Sequence, residues 1–103
     1  MLCALTVRKL KPGTFEEFRA KFWPEEQPPP GEWNAFHMLR NTENDDEVVT
    51  FGFFDGSTDE LRRSQEEQGY DERVDTIADL VESVLASGVY EFEVAVARAA
   101  DRE

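Results

Sequence analysis

Val48-Val49-Thr50-Phe51-Gly52-Phe53-Phe54-Asp55 is the most apolar and most β-prone run in the chain. Its large apolar side chains fall on both parities: Val48 and Phe54 on one, Val49, Phe51 and Phe53 on the other. A strand with one wet face alternates apolar and polar residues, whereas a strand covered on both faces does not. The run therefore reads as a central strand, with helices over one face and a different cover over the second.

The neighbours of this strand follow from it. Upstream, Trp33–Arg40 reads as a strand in which Trp33, Phe36, Met38 and Leu39 are apolar and His37 lies among them. The acidic loop Asn41–Glu47 joins the two as a hairpin. Leu2–Lys9 is the first strand, with Cys3, Leu5 and Val7 on one face and the smaller, more polar Leu2, Ala4, Thr6 and Arg8 on the other. Lys11-Pro12-Gly13 is turn chemistry. Thr14 and Glu17 have capping-box spacing, and Phe15, Phe18 and Phe22 then form a helical stripe that Pro24 ends. Glu25–Gly31, with Pro28, Pro29 and Pro30, is a stiff connector.

Downstream, Ser57 and Glu60 form a second capping box ahead of a polar helix that Gly69 breaks. From Asp71, the spacing of Val74, Ile77, Ala78, Val81, Val84 and Leu85 predicts a helix, with Gly88 just after its end. Val89–Arg98 is then the last strand, and Ala99–Glu103 a frayed end.

The order is β-α-β-β-α-β. Right-handed crossovers turn it into a ferredoxin-like α+β fold, a four-stranded antiparallel sheet with both helical segments on one face and the first and third strands central. At 103 residues the chain is one domain, 1–103. Helices on one face leave the other face bare. Its expected residues are Ala4, Thr6, Val48, Thr50, Gly52, Phe54, Ala95 and Ala97. A patch of that size calls for a second copy, so the expectation is a homodimer formed through the sheet face.

Composition excludes several functions. The formal charge is −12, from 23 acids against 11 bases, which repels phosphate backbones and anionic lipid; nucleic acid and membrane surfaces are not expected partners. The single Cys3 allows no internal disulfide and suits a reducing cytoplasm. No apolar run approaches the roughly 18 residues of a spanning helix, and the N-terminus lacks the pattern of a signal peptide. No phosphate loop, Cys-His pair or Ser-His pair is present.

Two stretches carry a family resemblance. Pro12-Gly13-Thr14-Phe15-Glu16-Glu17-Phe18 and Asp46-Glu47-Val48-Val49-Thr50-Phe51-Gly52-Phe53-Phe54-Asp55-Gly56, set in this strand order, resemble the antibiotic biosynthesis monooxygenase-like members of the dimeric α/β-barrel superfamily. The resemblance spans nearly the whole chain and implies a dimer with a ligand cavity between sheet and helices in each subunit. It implies either cofactor-independent oxygenation of a small aromatic or polyketide-like substrate, or haem degradation. The haem-degrading branch uses an Asn on the first strand, a Trp on the third and a His on the second helix. The matching regions here offer Thr6, Phe53 or Phe54, and Arg62–Ser64, so haem degradation is not expected. Among the residue types the oxygenases use, Trp33, Asn34, Tyr70 and Tyr90 are available.

His37, the only histidine, cannot supply a multi-histidine metal site but has the intrinsic range of a general base. It is the candidate catalytic residue; which face it occupies depends on the hairpin register, which the residues leave open. Trp33, Phe36, Phe51, Phe53 and Tyr70 are the candidate ligand-binding residues, with Tyr70 beside the Gly69 break. No metal and no cofactor is expected. Two functions stand side by side: a cofactor-independent monooxygenase-like enzyme, and a non-catalytic dimeric barrel that binds a small apolar ligand or serves as a structural module.

Overall fold

The computed structural model describes residues 1–23 and 29–96. Strands β1 (Leu2–Leu10), β2 (Trp33–Asn41), β3 (Asn44–Phe54) and β4 (Val81–Glu91) form one antiparallel sheet in the order β2-β3-β1-β4. Helices α1 (Phe15–Phe22), α2 (Thr58–Glu67) and α3 (Tyr70–Ile77) cover one face, and a 3-10 turn, Ala78–Leu80, leads into β4. This is the ferredoxin-like arrangement expected from the sequence, with β1 and β3 central. The connector Glu25–Gly31 falls largely outside the described residues, as do Ala97 and the end of the chain.

Local signals explain the helix boundaries, with one exception. Ser57 Oγ accepts from the Glu60 N–H at 3.1 Å while Glu60 Oε1 accepts from the Ser57 N–H at 2.8 Å, so the capping box of α2 is complete. Gly69 separates α2 from α3 in the left-handed conformation, at φ 70°, which only glycine adopts without strain. The Thr14–Glu17 box does not form. The Thr14 hydroxyl instead donates to the Lys11 carbonyl at 2.7 Å, tightening the preceding turn, and Glu17 pairs with Lys21 at 3.0 Å.

The expected last helix and last strand are displaced. The helix ends at Ile77, and Val81, Val84 and Leu85 belong to β4, with Gly88 in its interior rather than at a helix end. The cause is visible in the register. Lys9 pairs with Ser83 and Leu10 with Val81, leaving Glu82 extra; Val7 pairs with Ala86 and Arg8 with Val84, leaving Leu85 extra. Each bulge shifts the side-chain parity by one. Two bulges within five residues replace strand alternation with a pattern close to helical spacing.

The hairpin turn is also shorter than its acidic sequence suggests. Asn41 pairs with Asn44, so only Thr42 and Glu43 turn the chain, closed by the Asn41 side chain accepting from the Glu43 N–H at 2.7 Å. Beyond the turn the register shifts: Arg40 pairs with Val48, so Asp45, Asp46 and Glu47 are extra on β3, and the turn alone does not set the pairing of the strands.

The two sheet faces are the reverse of the sequence expectation. Thr6, Arg8 and Leu10 of β1 and Val48, Thr50, Gly52 and Phe54 of β3 lie buried beneath the helices. The bare face carries Leu5, Val7, Val49, Phe51 and Phe53, with His37 and Leu39 from β2. Ala95 lies beyond the end of β4. The large residues under the helices sit at the strand ends, in two clusters. Leu10 and Val48 join Phe18, Phe22, Ile77 and Leu80 at one end; Phe54 joins Trp33 and Leu61 at the other. Small and polar residues, Ala4, Thr6, Thr50 and Gly52, lie between them. Small size there does not serve close approach of a partner sheet. It leaves a space between the sheet and the helices.

Candidate functional site

That space is a cavity of about 350 Å³, within the roughly 300–1,000 Å³ range of small-molecule pockets. Its floor is the sheet at Ala4, Thr6, Thr50, Gly52, Ser87 and Val89. Aromatic side chains of α1, β2 and the residue after α1 form one wall: Phe22, Trp33, Phe36 and Trp23. The helical layer adds Arg62, Gln65 and Gln68 from α2 and its end, and Tyr70 and Arg73 from α3.

A bulge in β2 builds the aromatic wall. Trp33 pairs with Phe54 and Ala35 with Phe53, so Asn34 is extra and the parity of β2 changes there. Trp33 and Phe36, three residues apart, therefore share the cavity face, with ring centroids 5.1 Å apart. Phe36 meets Trp23 edge-on at 5.1 Å, and Trp33 meets Phe54 at 4.9 Å. The Trp33 indole N–H donates to Ser64 Oγ at 2.8 Å, tying the wall to α2. Gly52 makes room for these rings. A Cβ there would lie 2.7 Å from Phe36 Cδ1 and 3.0 Å from Trp33 Cζ3.

Beside the cavity, on the same sheet face beneath the helices, lies Arg8, only 3% exposed. Its guanidinium donates to Thr50 Oγ1 at 2.9 Å, approaches the Tyr70 hydroxyl at 3.5 Å, and stacks over the Phe22 ring at 4.9 Å. Thr50 and Tyr70 both border the cavity. With Arg8 occupying an acceptor lone pair on each, both hydroxyls keep their protons free to donate elsewhere. Thr6 and Ser87 share a hydrogen bond of 3.1 Å across β1 and β4. The site can thus hold a flat apolar ring against the aromatic wall and present hydroxyl, amide and guanidinium donors to its oxygens.

Of the residues singled out from the sequence, Trp33, Phe36 and Tyr70 line this cavity together. Phe51 borders it, but its ring lies on the bare sheet face, stacked on His37 at 5.0 Å. Phe53 is on that bare face too, 5.6 Å from His37 and 5.2 Å from Phe92. His37 is exposed and does not line the cavity, so it is not placed to act as a base there. The Asn34 bulge is the reason: it gives the cavity to Phe36 and turns His37 outward. Sequence reading missed Arg8, Thr50, Arg62 and Arg73. Arg8 lay in plain view, since an arginine within an apolar strand signals a buried polar arrangement. Arg62 and Arg73 carried no such signal, because a charged residue on a polar helix reads as solvated.

Cys3 is half-buried, and burial pushes its thiol above the usual range, away from thiolate reactivity. Among the described residues no three His, Cys, Asp or Glu side chains gather as a metal site, and no helix is long and apolar enough to cross a membrane.

No protein-family model matches the sequence, and no curated protein matches it either. Solved structures do resemble the fold. A protein from Chloroflexus aurantiacus J-10-fl superposes with a TM-score of 0.72 at 9% identity, over 93% of this chain and 96% of that one. A protein from Nitrosomonas europaea gives 0.69 at 17% identity, over 91% and 100%. A third, from Bordetella bronchiseptica, gives 0.65 at 9% identity, over 90% and 97%. All three are provisionally named antibiotic biosynthesis monooxygenases. The chain has the antibiotic biosynthesis monooxygenase-like fold. At these identities the likeness is one of backbone architecture, and a fold alone does not carry an activity. The chemistry of this chain therefore rests on the residues that line its cavity.

Proposed function

We propose that this protein is a monooxygenase-like enzyme that needs no cofactor and acts on a small aromatic or polyketide-like molecule held between sheet and helices. The observation that carries the reading is the cavity itself, with one aromatic wall and hydroxyl and guanidinium donors facing it. The provisional names of the three similar structures support it. An electron-rich phenol or anthrone can reduce dioxygen directly once deprotonated. Conversion of a ring CH2 to a carbonyl supplies the four electrons that reduce O2, one oxygen atom entering the product and the other leaving as water. The protein's contribution would be to bind the ring, exclude bulk water and stabilise the electron-rich anion through Tyr70, Thr50 and the arginines.

The test is oxygen consumption by purified protein, treated with chelator, against a panel of anthrones and polyhydroxynaphthalenes. Uptake above the uncatalysed rate, lowered at least tenfold by Tyr70→Phe, is the expected result. Binding of panel members without any uptake would refute catalysis.

We also propose that a second copy covers the bare sheet face. Support comes from Phe51 and Phe53, which lie there half-buried beside exposed Leu39 and Tyr90, 51% and 49% accessible. Phe51→Glu should then shift the mass in sedimentation equilibrium from twice the chain mass to once, and a monomeric parent protein at micromolar concentration would sink the idea. A cytoplasmic location is proposed as well, supported by a single cysteine in a chain that forms no internal disulfide.

A further inference from the structure

The cavity is electrostatically unlike the rest of the molecule. Asp and Glu make up 23 of 103 residues and outnumber Lys and Arg about two to one. Yet no described Asp or Glu borders the cavity, while Arg62 and Arg73 both do. A third guanidinium, Arg8, stands beside Thr50 and Tyr70. The described ion pairs are Lys9 with Glu82 and Lys21 with Glu17. None of the three arginines has a carboxylate within salt-bridge distance among the described residues.

For Arg62, on a polar helix, solvent accounts for that. For Arg8, 3% exposed, it does not. A buried guanidinium ordinarily has a carboxylate or phosphate partner, because hydroxyls and ring faces offset only part of the desolvation of a full charge. Here its partners among the described residues are the neutral Thr50 and Tyr70 hydroxyls and the Phe18 and Phe22 rings. Among the described residues the interior therefore holds positive charge without a counter-charge, next to a cavity that would fit one.

We propose that the cavity selects organic anions: planar aromatic molecules bearing one carboxylate, enolate or phenolate group. The ring lies against Trp33 and Phe36. The anionic oxygens meet Arg62 and Arg73, with the Tyr70 hydroxyl, held by Arg8, as a further donor. This deepens the monooxygenase reading, on which it rests for the placement of the ligand, and answers a gap in it. Among the described residues no histidine or carboxylate borders the cavity to remove a proton, so the chain works by favouring a ligand that is already ionised. It also assigns the acidic exterior a role in selectivity, since polyanions and nucleic acids are repelled before reaching the cavity.

The test is binding, independent of turnover. Isothermal titration calorimetry compares 2-naphthoate with its neutral isostere 2-naphthamide at pH 7.5 on the full chain. Naphthoate is expected to bind at least tenfold more tightly. Arg73→Gln and Arg62→Gln, each confirmed as folded by circular dichroism, should cut that ratio at least threefold. Equal affinity for the two ligands, no detectable binding of naphthoate up to millimolar concentration, or an unchanged ratio in both variants would overturn the proposal. Oxygen uptake is read separately with a neutral anthrone, so absent catalysis and absent anion selectivity give different results.

Discussion

Gly52→Ala adds one methyl group at the most crowded point of the cavity wall. The backbone there is ordinary strand, so the substitution carries no conformational strain and its effect is steric alone. The new Cβ would stand 2.7 Å from Phe36 Cδ1, 2.9 Å from Phe36 Cε1 and 3.0 Å from Trp33 Cζ3. Comfortable carbon–carbon separation is about 3.5–4.0 Å, so the Phe36 ring must retreat by roughly 0.8 Å or more. It cannot do so freely, because Trp23 and Trp33 each hold it at a centroid distance of 5.1 Å. Overpacking of this kind destabilises by about 1–3 kcal/mol. With the cavity offering some room for retreat, about 2 kcal/mol is expected, or a fall in Tm of roughly 8–16 °C for a domain of this size. The assay is thermal unfolding by circular dichroism at one fixed protein concentration, on Gly52→Ala, Phe36→Leu and the double variant. If the clash is with the Phe36 ring, the double variant should recover about 1 kcal/mol or more relative to additivity. A Gly52→Ala Tm within about 2 °C of the parent, or strict additivity, would refute this account of the wall.

Three other outcomes follow from named contacts. Ser57→Ala removes the cap of α2 and should destabilise by about 1 kcal/mol at neutral pH. Because the Ser57 hydrogen bonds hold the Glu60 carboxyl below its usual range, that carboxylate stabilises the fold fully above the ordinary Glu value of about 4.3 and ceases to as pH falls through its lower folded value. Acid unfolding should therefore lose part of its pH dependence in Ser57→Ala, and parallel acid limbs for the two proteins would contradict this. Gly69→Ala forces a Cβ onto a φ of 70° and should cost about 1–2 kcal/mol in urea melts, with Gly69→Asn milder; the nearest atom, Glu72 Oε1 at 3.5 Å, adds no clash. Arg8→Met exchanges an uncompensated buried charge for an apolar chain of similar reach, so stability should hold or rise. A loss above about 2 kcal/mol in the same melts would mean that the Thr50 and Phe22 contacts outweigh desolvation.

The sequence carried the architecture well because most of its signals are local. Ser57 and Glu60 mark one helix start, Gly69 marks a break, and the two-sided run at Val48–Phe54 marks a central strand. Where reading failed, the cause was register. Bulges at Glu82 and Leu85 disguised the start of β4 as helix, and the bulge at Asn34 decided that Phe36 rather than His37 would face the cavity. A bulge arises from pairing with a distant strand, so nothing in its own neighbours announces it. The reversal of the sheet faces has a different origin. Small and polar residues along a strand suit a contact surface for a partner, but the same composition suits the floor of a hollow. Residue size alone does not separate two sheets meeting from a sheet standing back from its helices. Trp33, Phe36 and Tyr70 were recognisable because aromatic side chains are conspicuous in a chain; Arg62 and Arg73 were not, because on a helix this polar an arginine has no distinguishing context.

The chain contains two tryptophans, Trp23 and Trp33, and both border the cavity. Its intrinsic fluorescence under 295 nm excitation therefore comes entirely from the walls of one site. An aromatic occupant would displace water from the Trp23 indole and stack within reach of both rings, changing emission intensity and wavelength together. The protein is its own optical sensor of occupancy, and a library of unlabelled compounds can be screened against it without knowing what reaction, if any, follows.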